Sequence, residues 1–246
     1  MNLSRFACAM ALTLGAFTQV HAAPLVLGDQ VNVDNRAGSV FTPSTTGDSN
    51  GLYQEVSFKL NGNKNAQGAN AGLFVLDYKH ATTSWTQFLS FCLEPDVVLA
   101  SFDNPYTVNS IAGAGYTVGA LISELWGRYF GQINSDTKAA AFQVALWELA
   151  FGTTDKNLNS GDFKLTSGGD VKSTAQGWLN SLNGTGPMAQ GLVVLVDNPN
   201  STERQDLITQ GPVNNVPEPT VLALMALGLV GMGVSQRRRA RAQSAA

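Results

Sequence analysis

The side chain with the most distinctive chemistry in this sequence is the thiol of Cys92. It lies in Phe91-Cys92-Leu93-Glu94-Pro95, at the end of a segment that is predicted to be a β-strand. The chain has 2 cysteines, and the other, Cys8, lies in an N-terminal segment that we predict is removed. A disulfide framework needs pairs of cysteines. Cys92 is therefore a buried inert thiol, an intermolecular bridge or a reactive group.

A second polar residue of interest, Gln143, lies in an apolar helical stretch, Phe142-Gln143-Val144-Ala145-Leu146-Trp147-Glu148. An aromatic-Cys motif on a strand followed by Gln-x-Ala-Leu-Trp on a helix resembles the thioester domains of bacterial surface adhesins. The resemblance spans Leu52 to Leu149 and implies a β-rich domain with a helical subdomain. It also implies that the Cys92 sulfur and the Gln143 carboxamide condense to a thioester with loss of ammonia. A host or matrix amine would then attack the thioester and form an amide.

The same two residues also have a plainer interpretation. Buried free cysteines are common, and a glutamine on a helix often bonds to nearby backbone. On this interpretation Cys92 is an inert thiol at a strand end and Gln143 has a structural role. Both interpretations remain open at the level of sequence.

Conventional catalytic and metal sites are poorly supported. His80 is the only histidine outside the N-terminal segment, it lies in a predicted turn, and no Gly-x-Ser-x-Gly motif accompanies it. Zinc needs several Cys or His ligands. The segment Asp155-x-Asn157-x-Asn159 departs from a calcium loop, because its glycine, Gly161, comes one place late and Thr166 stands where a glutamate is needed. We predict no catalytic residues, no metal, no cofactor and no enzyme activity.

Two residue sets support alternative functions. Glu94 and Glu148 are candidates for the carboxylate pair of a glycosidase, although a surface position on a helix is the plainer prediction for Glu148. Four tryptophans could stack on sugars: Trp85, Trp126, Trp147 and Trp178. Tryptophans at helical spacing, however, usually belong to the core. A noncovalent glycan-binding module and, less favoured, a secreted hydrolase are thus alternatives to a structural or adhesive protein.

The elements that position these residues run in the order strands, helices, strands. Alternation and turn residues predict strands at Pro24–Val33, Leu52–Leu60, Leu73–Lys79, Thr86–Leu93, Leu192–Val196 and Gln205–Thr209. Apolar residues at helical spacing predict helices at Tyr116–Phe130, Ala139–Phe151 and Val171–Leu182, with Ser135 as an N-cap. Residues 61–72 are predicted to form a mobile hairpin tip and residues 155–169 a loop.

This order predicts an α+β fold: an antiparallel β-sandwich or barrel-like domain with an inserted helical subdomain at about residues 112–183. An N-terminal signal peptide and a C-terminal hydrophobic helix flank this secreted domain, which covers residues 23–210 and is near the size of a single domain.

The N-terminus has the pattern of a secretory signal peptide, residues 1–22. Arg5 gives a positive start, Phe6–Phe17 is apolar, and small residues precede a cleavage site after Ala22. We therefore predict export by the Sec route.

The C-terminal segment, residues 211–246, reads as a linker and a sorting signal. The prolines of Pro217-Glu218-Pro219 donate no amide hydrogen, so this motif resists helix formation and stays extended. An apolar stretch at residues 220–234 follows, predicted to be a helix and shorter than the about 20 residues of a full bilayer crossing. A stop-transfer cluster then ends the signal with Arg237, Arg238, Arg239 and Arg241.

These three parts, in this order, resemble the PEP-CTERM sorting signal of Gram-negative bacteria. The resemblance implies recognition by exosortase, a membrane protease-transpeptidase, and a transient inner-membrane-anchored intermediate. The cell surface or the extracellular matrix would be the destination, since this family accompanies exopolysaccharide production. A permanent tail anchor and a terminal helix packed on a soluble domain are the alternatives.

Charge excludes one class of partner. Five of the 15 basic residues and one of the 18 acidic residues lie in the terminal segments, which leaves 10 bases and 17 acids, a net charge of −7. Nucleic-acid binding needs a positive patch, so nucleic acid is not an expected partner. We expect an exported surface, exopolysaccharide or biofilm-matrix protein, with an exopolysaccharide or a surface amine as its ligand.

Overall fold

The chain folds as a closed antiparallel β-barrel with a helical layer and a second, smaller sheet. The computed structural model describes residues 24–36, 41, 52–63, 65–99, 103–152, 155–197 and 204–211. In chain order its elements are β1 (Gln30–Asp34), β2 (Tyr53–Leu60), β3 (Gln67–Gly72), β4 (Phe74–Lys79), β5 (Thr86–Cys92), β6 (Asn104–Asn109), α1 (Gly119–Tyr129) with a short 3-10 turn (Phe130–Gln132), α2 (Asp136–Phe151), β7 (Phe163–Leu165), α3 (Asp170–Ser181), β8 (Leu192–Asp197) and β9 (Leu207–Gln210).

Six strands close the barrel in the order β1-β4-β5-β9-β8-β6, and the other three form a sheet in the order β3-β2-β7. All the pairings are antiparallel. Because β1 pairs with β6, the six-stranded sheet closes on itself and the barrel has no unpaired edge strand. The predicted α+β class, its barrel-like sheet and its helical part are confirmed.

Helix α2 lies between the barrel and the three-stranded sheet. Phe142 packs on Phe91 of β5, with ring centroids 4.7 Å apart, and Trp147 packs on Phe58 of β2 at 5.8 Å. Residues 139–149 are all buried, although a single apolar stripe was the expectation from spacing. The second sheet accounts for the difference, because it covers the face of α2 that would otherwise meet water.

The start of α2 follows from local sequence. The side chain of Ser135 accepts a hydrogen bond from the Lys138 N–H at 3.3 Å, and Asp136 occupies the first turn. Both features stabilise a helix N-terminus, through a satisfied N–H and through the helix dipole. The Ser135 N-cap predicted from the sequence is therefore present. The helix begins at Asp136, earlier than the predicted Ala139.

The structure contains three strands that the sequence did not predict. The predicted hairpin tip at residues 61–72 contains β3, the predicted loop at residues 155–169 contains β7, and β6 follows directly after residue 103. Strand β3 is rich in glycine and alanine, which have low strand propensity, yet it pairs with β2 over its whole length and packs against α2. Pairing and packing with distant elements override local propensity here. The signal peptide, the linker and the sorting tail lie outside the described residues.

Candidate functional site

Among the described residues, the end of β5 has no strand partner on one side, and Gln143 occupies that place. The pairing of β4 with β5 stops at Phe74 opposite Ser90, whereas on the other side β5 pairs with β9 as far as Cys92 opposite Leu207. The Gln143 Oε1 accepts the Cys92 N–H at 3.0 Å, and the Gln143 Nε2 donates to the Cys92 carbonyl at 2.6 Å. A carboxamide offers the same donor and acceptor as a peptide group, so Gln143 continues the hydrogen-bond ladder.

The thiol of Cys92 is enclosed. The residue is 3% exposed, and its S–H donates to the Glu94 carbonyl at 3.1 Å. Burial raises the pKa of the Cys92 thiol to about 12, against smaller lowering contributions from the Trp147 indole and the Glu94 main chain. The sulfur is therefore protonated at neutral pH.

Trp147 brings an unused hydrogen-bond donor to the same place. It lies one helical turn after Gln143 on α2, so the two side chains share a face of the helix. Trp147 is 2% exposed, and its indole N–H has no hydrogen-bond partner among the residues that the structure describes. Buried donors are almost always paired, because an unpaired one costs about 1–3 kcal/mol. The indole also lowers the pKa of the Cys92 thiol, which indicates that this N–H lies close to the sulfur.

A cavity of about 600 Å³ opens beside the thiol. Its lining includes Cys92, Trp147 and Glu94, the rings of Phe41 and Phe74, and Gln205, together with residues 67–70 and 95–99. The Oε1 of Gln205 is buried and, like the Trp147 N–H, has no partner within the described part of the chain. The Oδ1 of Asn35, another lining residue, is likewise buried without a described partner. The lining therefore combines aromatic rings with one donor and two acceptors that have no described partner, which is the composition of a ligand site.

Glu94 connects this cavity to a group of carboxylates. Its Oε2 accepts the Asp206 N–H at 2.7 Å, and Asp206 in turn accepts the Asp197 N–H at 3.2 Å and the Tyr116 hydroxyl at 3.3 Å. The pKa of Glu94 is raised, first by burial and then by the charges of Asp206, Asp96 and Asp197, although the Asp206 N–H opposes this. Two acidic residues, Glu94 and Asp96, line the cavity, and none of its described lining residues is basic.

The other acidic candidate, Glu148, occupies a different place from the one expected. The prediction of a helix-surface position is wrong, because Glu148 is 1% exposed. Burial, followed by the charge of Asp155, raises the pKa of Glu148 to about 8. Glu148 does not line the cavity that holds Glu94, so the two do not form a pair across it.

The remaining candidates make local contacts. His80 lies at the turn between β4 and β5, with its Nδ1 3.7 Å from the Asp29 carboxylate. Asp155 accepts hydrogen bonds from the Asn157 N–H at 3.4 Å and the Ser160 hydroxyl at 2.8 Å, which engages its oxygens within the loop. Within the described ranges, no group of three or more His, Cys, Asp or Glu side chains is placed to hold a metal ion.

The tryptophans other than Trp147 are also engaged. Trp126 stacks on Phe130 at 4.6 Å, and Trp178 stacks on Tyr129 at 4.7 Å. The ring of Trp85 lies under two cations, with the Arg36 guanidinium 5.2 Å and the Lys79 ammonium 4.3 Å from its centroid. A sugar that stacked on these rings would have to displace these neighbours.

Sequence reasoning identified Cys92, Gln143 and Trp147 by their motifs, but it missed Gln205. That residue was predicted only as the start of a strand. Its role at the cavity depends on the return of the chain after β8, and no local pattern in the sequence indicates it.

Comparison with known proteins identifies the tail. The family model of the PEP-CTERM protein-sorting motif matches residues 215–239, which include Pro217, Glu218, Pro219 and Arg237–Arg239. The chain therefore carries a PEP-CTERM sorting motif, as its resemblance predicts. This motif implies processing by exosortase, a membrane protease, and a membrane-anchored intermediate on the way to the cell surface. The matched residues lie outside the described ones; among those described, no helix is both long and apolar enough to cross a membrane.

The body has a weak structural resemblance. No curated protein matches the chain. Among solved structures, the N-terminal thioester domain of a surface protein from Clostridium perfringens is similar at a TM-score of 0.38 and 13% sequence identity, over 64% of this chain and 98% of that one. A likeness at this level carries no argument about individual residues. The Cys92–Gln143 arrangement must be judged by its own geometry.

Proposed function

We propose that this protein is an exported surface or biofilm-matrix adhesin whose body forms a thioester between Cys92 and Gln143 and links covalently to amines. The observation that carries the proposal is the pairing of the Gln143 carboxamide with the Cys92 main chain. This pairing holds the carboxamide against the residue that bears the thiol, at the wall of the cavity. Orientation of this kind replaces a bimolecular encounter and is a large part of the advantage of intramolecular reactions.

Formation of the bond needs no external reagent. The Cys92 sulfur attacks the carboxamide carbon of Gln143, and a C–S bond forms as the C–N bond breaks. The thiol proton passes to the departing nitrogen, which leaves as ammonia. Cys92 is only 3% exposed, which limits the access of water to the product, and the Trp147 indole, which lowers the pKa of the thiol, can donate to the sulfur while it carries negative charge.

An amine then opens the thioester. Its nitrogen bonds to the acyl carbon of Gln143, the C–S bond breaks, and a proton from the amine returns to the Cys92 sulfur. The products are an amide on Gln143 and a free thiol on Cys92. Each molecule reacts once and is consumed, so the protein acts as a covalent adhesin and turns over no substrate as an enzyme would.

The sorting tail delivers this body to its place of work. After export by the Sec route, exosortase would act at Pro217-Glu218-Pro219 and release the body from the inner membrane. An amine of the cell surface or of the exopolysaccharide matrix is the expected ligand. Replacement of these three residues by alanine should leave a full-length tail and a membrane-bound protein in fractionated cells. Release at the normal rate would contradict exosortase processing at this motif.

Intact mass spectrometry of the mature protein tests the thioester. The wild-type protein should weigh one ammonia less than its sequence mass, and incubation with methylamine should add one methylamine to that lighter form, at Gln143. The Cys92→Ala and Gln143→Ala variants should both have their full sequence masses. Gln132→Ala, which changes a glutamine that bonds to the Arg128 carbonyl at the end of α1, is the matched control and should keep the ammonia loss. A wild-type protein at its full sequence mass, with Cys92 alkylated after unfolding, would rule out the thioester.

A noncovalent glycan-binding module is the second candidate. The free N–H of Trp147 and the free Oε1 of Gln205 at an aromatic-walled cavity favour it, since both are suited to a sugar hydroxyl. Binding of purified exopolysaccharide to the Cys92→Ala variant separates the two functions. Retained, reversible binding that is lost in Cys92→Ala/Gln205→Ala would support the glycan module, whereas loss of all stable attachment in Cys92→Ala would support the covalent adhesin.

A further inference from the structure

We propose that Glu94 selects a protonated primary amine as the group that opens the thioester, and that it accepts the proton which this amine must lose. This inference rests on the proposed thioester. It concerns the opening step and the acid at the cavity wall, whereas the proposed function concerns the formation of the bond.

The position of Glu94 carries the first part of the argument. Glu94 follows Cys92 by two residues, accepts the Cys92 S–H at its carbonyl at 3.1 Å, and lines the same cavity. A molecule that fills this cavity therefore meets Glu94 as well as Cys92. The Asp206 N–H, at 2.7 Å, holds one carboxylate oxygen in place, so the group is fixed.

The charge of the cavity carries the second part. Its described lining has the carboxylates of Glu94 and Asp96 and no basic residue, and Asp206 and Asp197 lie behind Glu94. The basic residue Arg204 forms an ion pair with Asp197, with 3.6 Å between its Nη1 and the Asp197 Oδ1. Attraction between unlike charges is stronger in a partly buried site than in water, so a cation is favoured over a neutral molecule of equal size.

Free hydrogen-bonding groups support the same ligand. An ammonium group carries only donors, and the residues that line the cavity include Gln205 and Asn35, whose side-chain oxygens have no partner within the described part of the chain. The aromatic rings of Phe41, Phe74 and Trp147 surround the remaining space and suit an aliphatic stem. A primary amine at the end of a slender alkyl chain fits both parts.

The chemistry requires a proton acceptor. An ammonium nitrogen has no lone pair and cannot attack an acyl carbon until it loses a proton. Glu94 accepts that proton, the neutral amine attacks, the C–S bond breaks, and a second amine proton passes to the Cys92 sulfur. Glu94 then returns its proton to water. Atoms and charges balance without any other reagent, and a positioned base of this kind typically accelerates a step by about 10²–10⁴.

The test measures how fast two nucleophiles, methylamine and hydroxylamine, open the thioester of the mature protein and of its Glu94→Gln variant. The glutamine carboxamide keeps an oxygen for the Asp206 N–H, so the substitution removes only the charge and the basicity of the Glu94 carboxylate. We expect the variant to form the thioester, seen as the ammonia loss, and to react with methylamine more slowly by about tenfold or more. Hydroxylamine, which is uncharged at neutral pH, should react with both proteins at rates within about twofold of each other, because it has no proton to surrender before it attacks.

Asp96→Asn is the matched control, because it removes one charge from the same cavity at a more exposed position. Asp96→Asn should slow the reaction with methylamine less than Glu94→Gln does. Glu94→Asp is a second variant that keeps a carboxylate, and it should retain more of the methylamine rate than Glu94→Gln.

The outcomes separate this inference from the proposed function. Absence of the ammonia loss in the wild-type protein overturns both. If the wild-type protein forms the thioester, two results overturn only the role of Glu94. Either Glu94→Gln reacts with methylamine at the wild-type rate, or Glu94→Gln slows the reactions with methylamine and hydroxylamine by the same factor. A Glu94→Gln protein that folds but lacks the ammonia loss also overturns it, since Glu94 would then serve the formation of the bond.

Discussion

Gln143 and Cys92 form a closed two-hydrogen-bond pair, in which the side-chain carboxamide of one residue satisfies both main-chain groups of the other. The pair joins α2 to the last residue of β5, across 51 positions of sequence. It therefore has a structural function whether or not the thioester forms.

The structural part of the Gln143 contact can be measured where no thioester can form. In a Cys92→Ala background, Gln143→Ala leaves a buried N–H and a buried C=O without a partner, each of which costs about 1–3 kcal/mol. We expect the free energy of unfolding in urea to fall by about 2 kcal/mol or more. Gln132→Ala in the same background is the control and should change it by less than about 0.5 kcal/mol. Equal effects of the two substitutions would show that the pair contributes little to stability.

Cys92 should resist alkylation whenever the protein is folded. After methylamine has opened the thioester the thiol is free, but it is buried and its pKa is raised to about 12. The thiolate is the nucleophile, so labelling by iodoacetamide at neutral pH should be slower in the folded protein than in urea by at least about a hundredfold. Labelling followed by intact mass gives both rates. Comparable rates would mean that the site opens when the amide forms.

Glu148 should make the protein less stable as the pH rises. Burial raises its pKa in the folded state to about 8, against an ordinary value of 4.5. Between these values the folded state keeps a proton that the unfolded state has released, so stability falls with rising pH, by at most about 1.4 kcal/mol per pH unit. Above pH 8 the loss is complete. Below pH 4.5 it is absent.

Glu148→Gln should remove this dependence. The variant is expected to exceed the wild-type protein in thermal stability at pH 8, with the advantage disappearing toward pH 4.5. Thermal unfolding followed by circular dichroism across this range measures it. Glu55→Gln, on the exposed side of β2, is the control and should leave the pH profile unchanged. A parallel shift of the whole profile in Glu148→Gln would point to packing as the cause.

Glu124 should stabilise the protein in its charged form. Its carboxylate accepts hydrogen bonds from the main-chain N–H groups of Asn183, Gly184 and Gly186 at 2.9, 2.6 and 3.1 Å, and from Arg128 at 2.7 Å. Burial alone would raise the pKa of Glu124, but these donors outweigh it and the pKa is lowered. The stabilisation is therefore present above the unfolded-state pKa and is lost as the pH falls through the folded-state pKa.

Glu124→Gln should lower the free energy of unfolding at pH 7 by about 1.5–3 kcal/mol, the range for hydrogen bonds to a charged group. The difference from the wild-type protein should shrink in acid, as the wild-type carboxylate takes up its proton. Urea titrations at about pH 7 and about pH 3 give both values. A difference that is the same at the two pH values would assign the effect to shape, since the charge would then make no contribution.

Much of the architecture was accessible from the sequence because its signals are local. Apolar spacing predicted the three helices, Ser135 predicted the start of α2, and alternation predicted most barrel strands, including the one that ends near Cys92. The tail was recognisable from a proline motif, an apolar run and an arginine cluster in fixed order. The strands β3, β6 and β7 were missed because their residues have weak strand propensity or lie in segments rich in turn residues.

The sequence by itself predicted that one cysteine remains in the exported body, and it determined that Gln143 lies on an apolar helix and that the tail carries a sorting motif. Each of these depends only on residue types and their spacing. Only the tertiary structure decided that Gln143 pairs with Cys92, that Glu94 and Gln205 share a cavity with the thiol, and that Glu148 is buried. These facts depend on barrel closure and on the placement of α2 between two sheets, and contacts across tens of residues leave no periodic trace in a single sequence.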